Sequence, residues 1–260
     1  MLPFGYLEIR YLGYIIPLEG TKMRPVFRSA LLLCGSAWFA AYGQSDLPRF
    51  GVGVDLSTLG PGIEAATAVT RRSNVRLGFN DFSYSRNFTK DGIHYGGELT
   101  LRSLSVLYDQ YLVGGLHISP GLMLYNGNRG AATAAVPGGQ SFTLGGTAYF
   151  SSAANPVTGT GSLSLGSVSP MVLIGVGNLL PRSQRHFSVG LDVGVVFQGA
   201  PKATLNLTGS TCDSTGHVCL PIAGNPVVQS SIQAEQTKIN RDLNFFRYYP
   251  VVMLGFGYKF

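Results

Sequence analysis

From Val252 to the end of the chain every even position is large and apolar: Val252, Leu254, Phe256, Tyr258 and Phe260. Met253, Gly255, Gly257 and Lys259 occupy the odd positions between them. A period of two predicts a β-strand with one oily face and one small or polar face. The same alternation recurs from residue 50 onward. Phe50, Val52, Val54 and Leu56 form one such set, and Ile63-Glu64-Ala65-Ala66-Thr67-Ala68-Val69 follows after Leu59-Gly60-Pro61-Gly62. Val75, Leu77 and Phe79 share a face opposite Arg76 and Gly78. Beyond an expected loop from Asn87 to Gly92, Leu99 and Leu101 oppose Glu98, Thr100 and Arg102 within Tyr95 to Tyr108. The apolar positions shift from odd to even inside this segment, and a β-bulge is the expected cause.

After Gly114-Gly115, Ile118, Pro120, Leu122 and Leu124 alternate with His117, Ser119, Gly121 and Met123. A long Gly/Ala/Ser/Thr-rich loop is expected beyond Asn126, then a strand over Val168 to Val176 and a turn at Leu180-Pro181-Arg182-Ser183. Phe187, Val189, Leu191, Val193, Val195 and Phe197 are the most regular set, and their frame is expected to continue through Ala203, Leu205 and Leu207. With the closing strand this gives eight segments, the number of the smallest common transmembrane barrel. The weak boundary is Leu59 to Gly62, where two strands could be one bent strand.

One segment breaks the pattern. Asn225-Pro226 reads as a helix cap followed by proline at the first helical position. Val228, Ile232, Ile239, Leu243 and Phe246 then fall near one helical face, so an amphipathic helix over 226–247 precedes the last strand. Counting strands places it with the external loops, with a periplasmic or interfacial cap as the alternative.

Residues 1–22 make a poor membrane span and a poor export signal, being interrupted by Glu8, Arg10, Pro17 and Glu19. Met23 begins a better layout: Arg24 and Arg28, an apolar run from Ala30 to Phe39, and the small-x-small site Ala41-Tyr42-Gly43. The expected organisation is an upstream extension (1–22), a signal peptide (23–43) and a mature domain (44–260). Cys34 follows Leu33 where a lipoprotein signal wants a small residue, which argues against a lipid anchor.

Composition narrows the choice between barrel and soluble sandwich. Charged residues are 12% and hydrophobic residues 45%, which excludes simple disorder. No apolar run reaches about 18 residues, so helical spans are not expected. Net charge is +6, falling to +4 without Arg10, Lys22, Arg24, Arg28, Glu8 and Glu19, and no basic cluster suggests nucleic acid. A sandwich face meeting water should be rich in Lys, Glu, Thr and Gln. Here the face opposite the oily one is mostly Gly, Ser and Ala, with Asp55, Glu64, Arg76, Glu98, Arg102, Asp192 and Lys259 set singly along it. That suits the narrow interior of an eight-stranded barrel, filled by side chains, with these charges pairing inside.

Cys212 and Cys219 remain in the mature chain and, in an exported protein, suggest a loop-closing disulfide. His217 lies between them, but no second ligand pair is near, so neither zinc nor another cofactor is expected. No phosphate loop, nucleophile elbow or metal cluster is present in the sequence.

The C-terminal pattern ending on Phe260 resembles the assembly signal of bacterial outer-membrane β-barrels. The chain as a whole is similar to small barrels of the OmpA/OmpX/OmpW kind. Closer likeness to a group of bacterial outer-membrane proteins rests on Gly51-Val52-Gly53-Val54 with Ser57-Thr58-Leu59-Gly60, on Asn80-Asp81-Phe82-Ser83-Tyr84-Ser85, on Leu99-Thr100-Leu101-Arg102-Ser103, on Gly121 through Asn128, and on Tyr248 through Phe260. The resemblance implies an all-β, eight-stranded antiparallel transmembrane up-and-down barrel in the outer membrane. It also implies lipids as surroundings and the barrel-assembly machinery as a partner of the last strand; it brings no activity. His117-Ile118-Ser119 is similar to the His-x-Ser of outer-membrane lipid A deacylases, where a base activates the nucleophile, but Pro120 stands where those enzymes have Asn. The expected function is therefore a monomeric, non-enzymatic barrel with a plugged lumen and a surface-interaction role. A conduit for small hydrophobic molecules and a lipid A hydrolase are the alternatives.

Overall fold

The computed structural model describes residues 50–181, 183–213 and 218–260. The expectations for 1–22 and 23–43 lie outside the described residues. The chain is mostly antiparallel β-structure with one α-helix among the described residues. Eight strands carry the frame: β1 (Gly51–Ser57), β2 (Gly60–Thr70), β3 (Ser73–Lys90), β4 (Ile93–Val113), β5 (Leu116–Asn126), and the later segments Ser169–Val176, Phe187–Phe197 and Tyr248–Lys259. Between β5 and Ser169 lie β6 (Arg129–Val136), β7 (Ser141–Leu144), β8 (Thr147–Ser151) and β9 (Val157–Ser164), so Ser169–Val176 is β10 and Phe187–Phe197 is β11. Next come β12 (Lys202–Thr208), β13 (Ser210–Cys212), β14 (Cys219–Pro221) and helix α1 (Pro226–Asp242), which makes the closing strand β15.

Followed from neighbour to neighbour, the pairings run β4, β3, β2, β1, β15, β11, β10, β5. From β5 they return to β4. The doubtful boundary resolves into two strands, with Gly51 facing Ala66 and Ser57 facing Gly60 across a turn at Thr58-Leu59. The antiparallel β-structure expected from the sequence is therefore present, within a sheet of eleven strands. Its extensions are not as expected.

Three differences matter. First, β3 does not stop before Asn87. It pairs with β4 without interruption from Ser73↔Gln110 to Lys90↔Ile93, turning at Asp91 (φ 52°) and Gly92 (φ 77°). Two consecutive left-handed residues give a tight hairpin whose twist matches its strands. No bulge interrupts this pairing; the expected irregularity falls on the other side of β4, where the pairing with β5 shifts register between Leu104 and Ser105. The extra residue there is Leu124 of β5, so the parity of β4 is unchanged and the shift of its apolar positions has another cause, given below. Second, the expected loop after Asn126 contains β6 to β9. β6 takes over from β5 as the partner of β4, the last β5 pair being Ser103↔Asn126 and the first β6 pair Thr100↔Arg129. The backbone gap is bridged by side chains: Arg102 N donates to Asn128 Oδ1 (2.8 Å) and Asn128 N to Asn126 Oδ1 (3.2 Å). Third, β11 ends at Phe197. Gly199 (φ 75°) and Pro201 break the frame, and Ala203 and Leu207, expected to continue the outward face, turn inward and are buried.

β9 pairs with β6 and β12 with β9, so part of the wall rises well beyond the eight-strand frame. A second sheet, in the order β14-β13-β8-β7, lies at the same end, away from Phe50 and Phe260. α1 completes this cap. Asn225 Oδ1 accepts from Val227 N (3.1 Å) and Val228 N (3.3 Å), and Pro226 opens the helix. Its buried side carries Val228 and Ile232 into a core with Ile93, Val136, Phe142, Leu144 and Leu207. α1 also covers the free edge of β12: Ala203 N donates to Asn240 Oδ1 (2.7 Å) and Leu205 N to Gln236 Oε1 (3.2 Å), which leaves less open edge for another chain to pair with.

Candidate functional site

Inward positions of the eight-strand frame are stacked in layers. The middle layer is charged. Arg76, on β3, reaches Glu64 Oε1 on β2 (3.1 Å), Asp109 Oδ1 on β4 (3.0 Å) and Asp192 Oδ2 on β11 (2.8 Å). His117, on β5, places Nε2 2.8 Å from Asp192 Oδ1 and Nδ1 3.1 Å from the Gly115 carbonyl. Both ring nitrogens thus face oxygen atoms. Ser119 donates to Asp109 Oδ1 (2.6 Å). A cavity of about 20 Å³ lies among Glu64, Arg76, Asp109, His117 and Asp192, room for about one water. Asp55 stands apart from this cluster, accepting from Asn80 Nδ2 (2.8 Å).

Toward the cap the interior becomes apolar. Leu59, Leu107, Met123, Met171, Leu173, Val196, Val251 and Met253 form one buried cluster across the frame. At the opposite end the segment expected as a simple turn enters the mouth instead. Leu180 is 0% exposed, and Asn178 Oδ1 accepts from Leu180 N (2.8 Å) and from Asn74 Nδ2 (3.0 Å). Glycines make the space: a Cβ on Gly51 would lie 2.6 Å from Leu180, and one on Gly53 or Gly257 would lie 2.7 or 2.3 Å from Leu179. Lys259 Nζ then holds the loop by donating to the carbonyls of Pro181 (3.1 Å) and Ser183 (2.5 Å).

Of the seven charges expected to form one interior network, Glu64, Arg76 and Asp192 meet in it, with Asp55 buried nearby and Lys259 at the mouth. Glu98 and Arg102 do not. Both lie on the outward face of β4, and Arg102 pairs there with Asp81 at 3.0 Å. The reason is a change of surroundings along an unbroken strand. Low on β4, Ser103, Ser105, Leu107 and Asp109 point inward; higher up the same parity carries Tyr95 and Ile93 into the cap core. Sequence reasoning missed Asp109, although its parity with Ser103 and Ser105 marks it as inward. It also missed the methionine-rich layer and Leu179-Leu180, which resemble any other apolar residues until the interior is assembled. Cys212 and Cys219 are joined in a disulfide closing the β13–β14 hairpin. Val252, Leu254, Phe256, Tyr258 and Phe260 all face outward and are exposed.

No catalytic pair forms between His117 and Ser119. Ser119 is 0% exposed and gives its proton to Asp109, while His117 is turned to Asp192.

No protein-family model and no curated protein matches the sequence. Solved structures do. CarO of Acinetobacter baumannii aligns with a TM-score of 0.51 at 20% identity, over 81% of this chain and 97% of that one. CarO2 of the same organism gives 0.53 at 19% identity, over 82% and 99%. The chain shares the CarO fold. A major outer membrane protein from Thermus thermophilus aligns over 81% of this chain and 99% of that one, but its TM-score of 0.29 at 14% identity supports no argument.

Proposed function

We propose that the chain is an integral protein of a bacterial outer membrane, an eight-stranded transmembrane barrel with a sealed interior that carries an external cap and performs no catalysis. One observation carries this reading: the closed circuit of strands is clad in exposed apolar side chains bounded by two aromatic levels. Val54, Leu56 and Ile63 are 56%, 65% and 57% exposed, and comparable residues continue on β3, β5, β10, β11 and β15. A water-soluble monomer rarely exposes so continuous an apolar surface. Phe50, Phe187, Tyr258 and Phe260 gather at one level, with Phe50 and Phe260 stacked at 6.1 Å. Phe197 and Tyr248 meet edge-on at 5.9 Å at the other. Phe187 and Phe197 are ten residues apart on β11, about 33 Å along the strand, or about 25 Å across a bilayer at the usual barrel tilt. That matches the apolar band of outer-membrane barrels.

The filled interior supports a structural and surface-presenting role over a conduit, because the loop, the charged layer and the methionine layer occupy it and the cavity among the charges is water-sized. The outward, aromatic-ended β15 supports recognition by the barrel-assembly machinery, and the capped edge of β12 supports a monomer. The test is refolding into phosphocholine bilayers. The folded protein should migrate differently on denaturing gels before and after boiling, and planar bilayers containing it should show no steady conductance. A chain that stays soluble and monomeric without lipid or detergent overturns the membrane reading. Stable unit conductance overturns the sealed interior.

A further inference from the structure

The wall continues above the apolar belt as five strands, β3, β4, β6, β9 and β12, and its outward face changes character in steps. On β3 and β4 the outward positions are Leu77 and Phe79 opposite Val106 and Leu104, then the Asp81–Arg102 ion pair. The next row joins Ser83 to Thr100, which is buried, and Thr100 to Arg129, with Ser164 and Lys202 paired on the strands beyond. Two rows higher it is Asn87, Gly96, Thr133, Thr160, Asn206. Outward positions of these strands above Asp81 carry no large apolar side chain, and Glu98 is their sole carboxylate. The large apolar side chains of the same strands fall on the inward parity, among them Tyr95 and Leu205, which pack against the cap core. Hydroxyl pairs link neighbouring strands on the outward side, Thr158 with Thr208 at 2.7 Å and Ser162 with Thr204 at 2.6 Å. At its far end an open groove of about 380 Å³ is lined by Asn87, Phe88, Thr89, His94, Tyr95 and Gly96.

We propose that this face docks an anionic glycolipid of the surrounding leaflet, a phosphorylated saccharide anchored by acyl chains. The inference rests on the outer-membrane reading above and says what that barrel's external wall is for. Continuity decides the occupant. The face is the direct upward extension of the surface that meets hydrocarbon, so whatever covers it is attached to the lipid beside it. Charge decides the chemistry. Arg129 and Lys202 lie in the row nearest the lipid, make no ion pair among the described residues, and stand on strands two apart, about 10 Å. Cations at this level meet phosphates, and the hydroxyl and amide rows above suit the oxygens of sugars.

The full chain, refolded into phosphocholine nanodiscs, is titrated with rough-type lipopolysaccharide. Neutralising two cations near an anionic lipid surface, by Arg129→Gln with Lys202→Gln, should weaken binding ~30-fold. Thr133→Val with Thr160→Val keeps the strand propensity but removes two hydroxyls, and should weaken it roughly tenfold. Each variant is first required to show the wild-type shift in gel mobility on boiling. Unchanged affinity in the Gln variant overturns the proposal, as does equal affinity for dephosphorylated lipopolysaccharide. Equally tight binding of the deacylated saccharide phosphate also overturns it, since the source would then be a soluble glycan. A wild-type chain that enters no bilayer fails earlier, before any titration, and overturns the barrel reading together with this one.

Discussion

Arg76 is the residue on which the charged layer turns. Replacing it with Met keeps much of the side-chain length and removes the only guanidinium that touches Glu64, Asp109 and Asp192 among the described residues. The side chains of those three acids are only 3%, 2% and 6% exposed, so solvent does not replace the lost partner. Breaking a buried ion pair by removing one member costs about 3–5 kcal/mol, because the remaining charge is stranded in low dielectric. With a urea slope of about 2 kcal/mol per molar, the midpoint of unfolding in bilayers should fall by roughly 2 M. The assay is urea titration followed by gel mobility, scoring the fraction that retains the unboiled position. A second variant separates charge from packing. Arg76→Met combined with Glu64→Gln, Asp109→Asn and Asp192→Asn removes the stranded charges and should recover most of the lost midpoint. A shift below about 0.5 M for Arg76→Met alone, or no recovery in the combined variant, refutes the view that this layer is held by mutual neutralisation.

Three further outcomes follow from the fold. Gly257→Val places side-chain atoms where Leu179 lies, the first of them 2.3 Å away, and should expel the mouth loop; a cysteine introduced at Ser183 should then react faster with a thiol reagent, while bilayer conductance stays absent because the methionine layer is untouched. Removing the disulfide by Cys212→Ser with Cys219→Ser opens a loop of sequence separation 7, worth about 2–3 kcal/mol to the hairpin. The effect should appear as faster external proteolysis near Val218, with the urea midpoint of the barrel unmoved. Asn225→Ala removes the acceptor for Val227 N and Val228 N and should cost α1 about 1 kcal/mol, read as faster amide exchange over the first helical turn.

The sequence by itself determined that the chain is mostly β-strand, since a period of two with an oily face needs no knowledge of neighbours. It determined the start of α1 for the same reason: Asn225 and Pro226 act on their own backbone. It marked seven charges as inward by the same rule, yet Glu98 and Arg102 lie on the outward face, so parity with small residues does not by itself fix where a charge points. Only the tertiary structure decided which charges meet. Arg76 and Asp192 are 116 residues apart, and the circuit of pairings brings them together. Nor does the pattern reveal where a strand leaves one set of surroundings for another. Along β4 the inward parity never changes, yet Ile93 is inward and apolar above the belt while Asp109 is inward and charged within it. Alternation reports that the two faces differ; which face is the oily one depends on what lies outside the wall, and that is settled only when the other strands have closed around it.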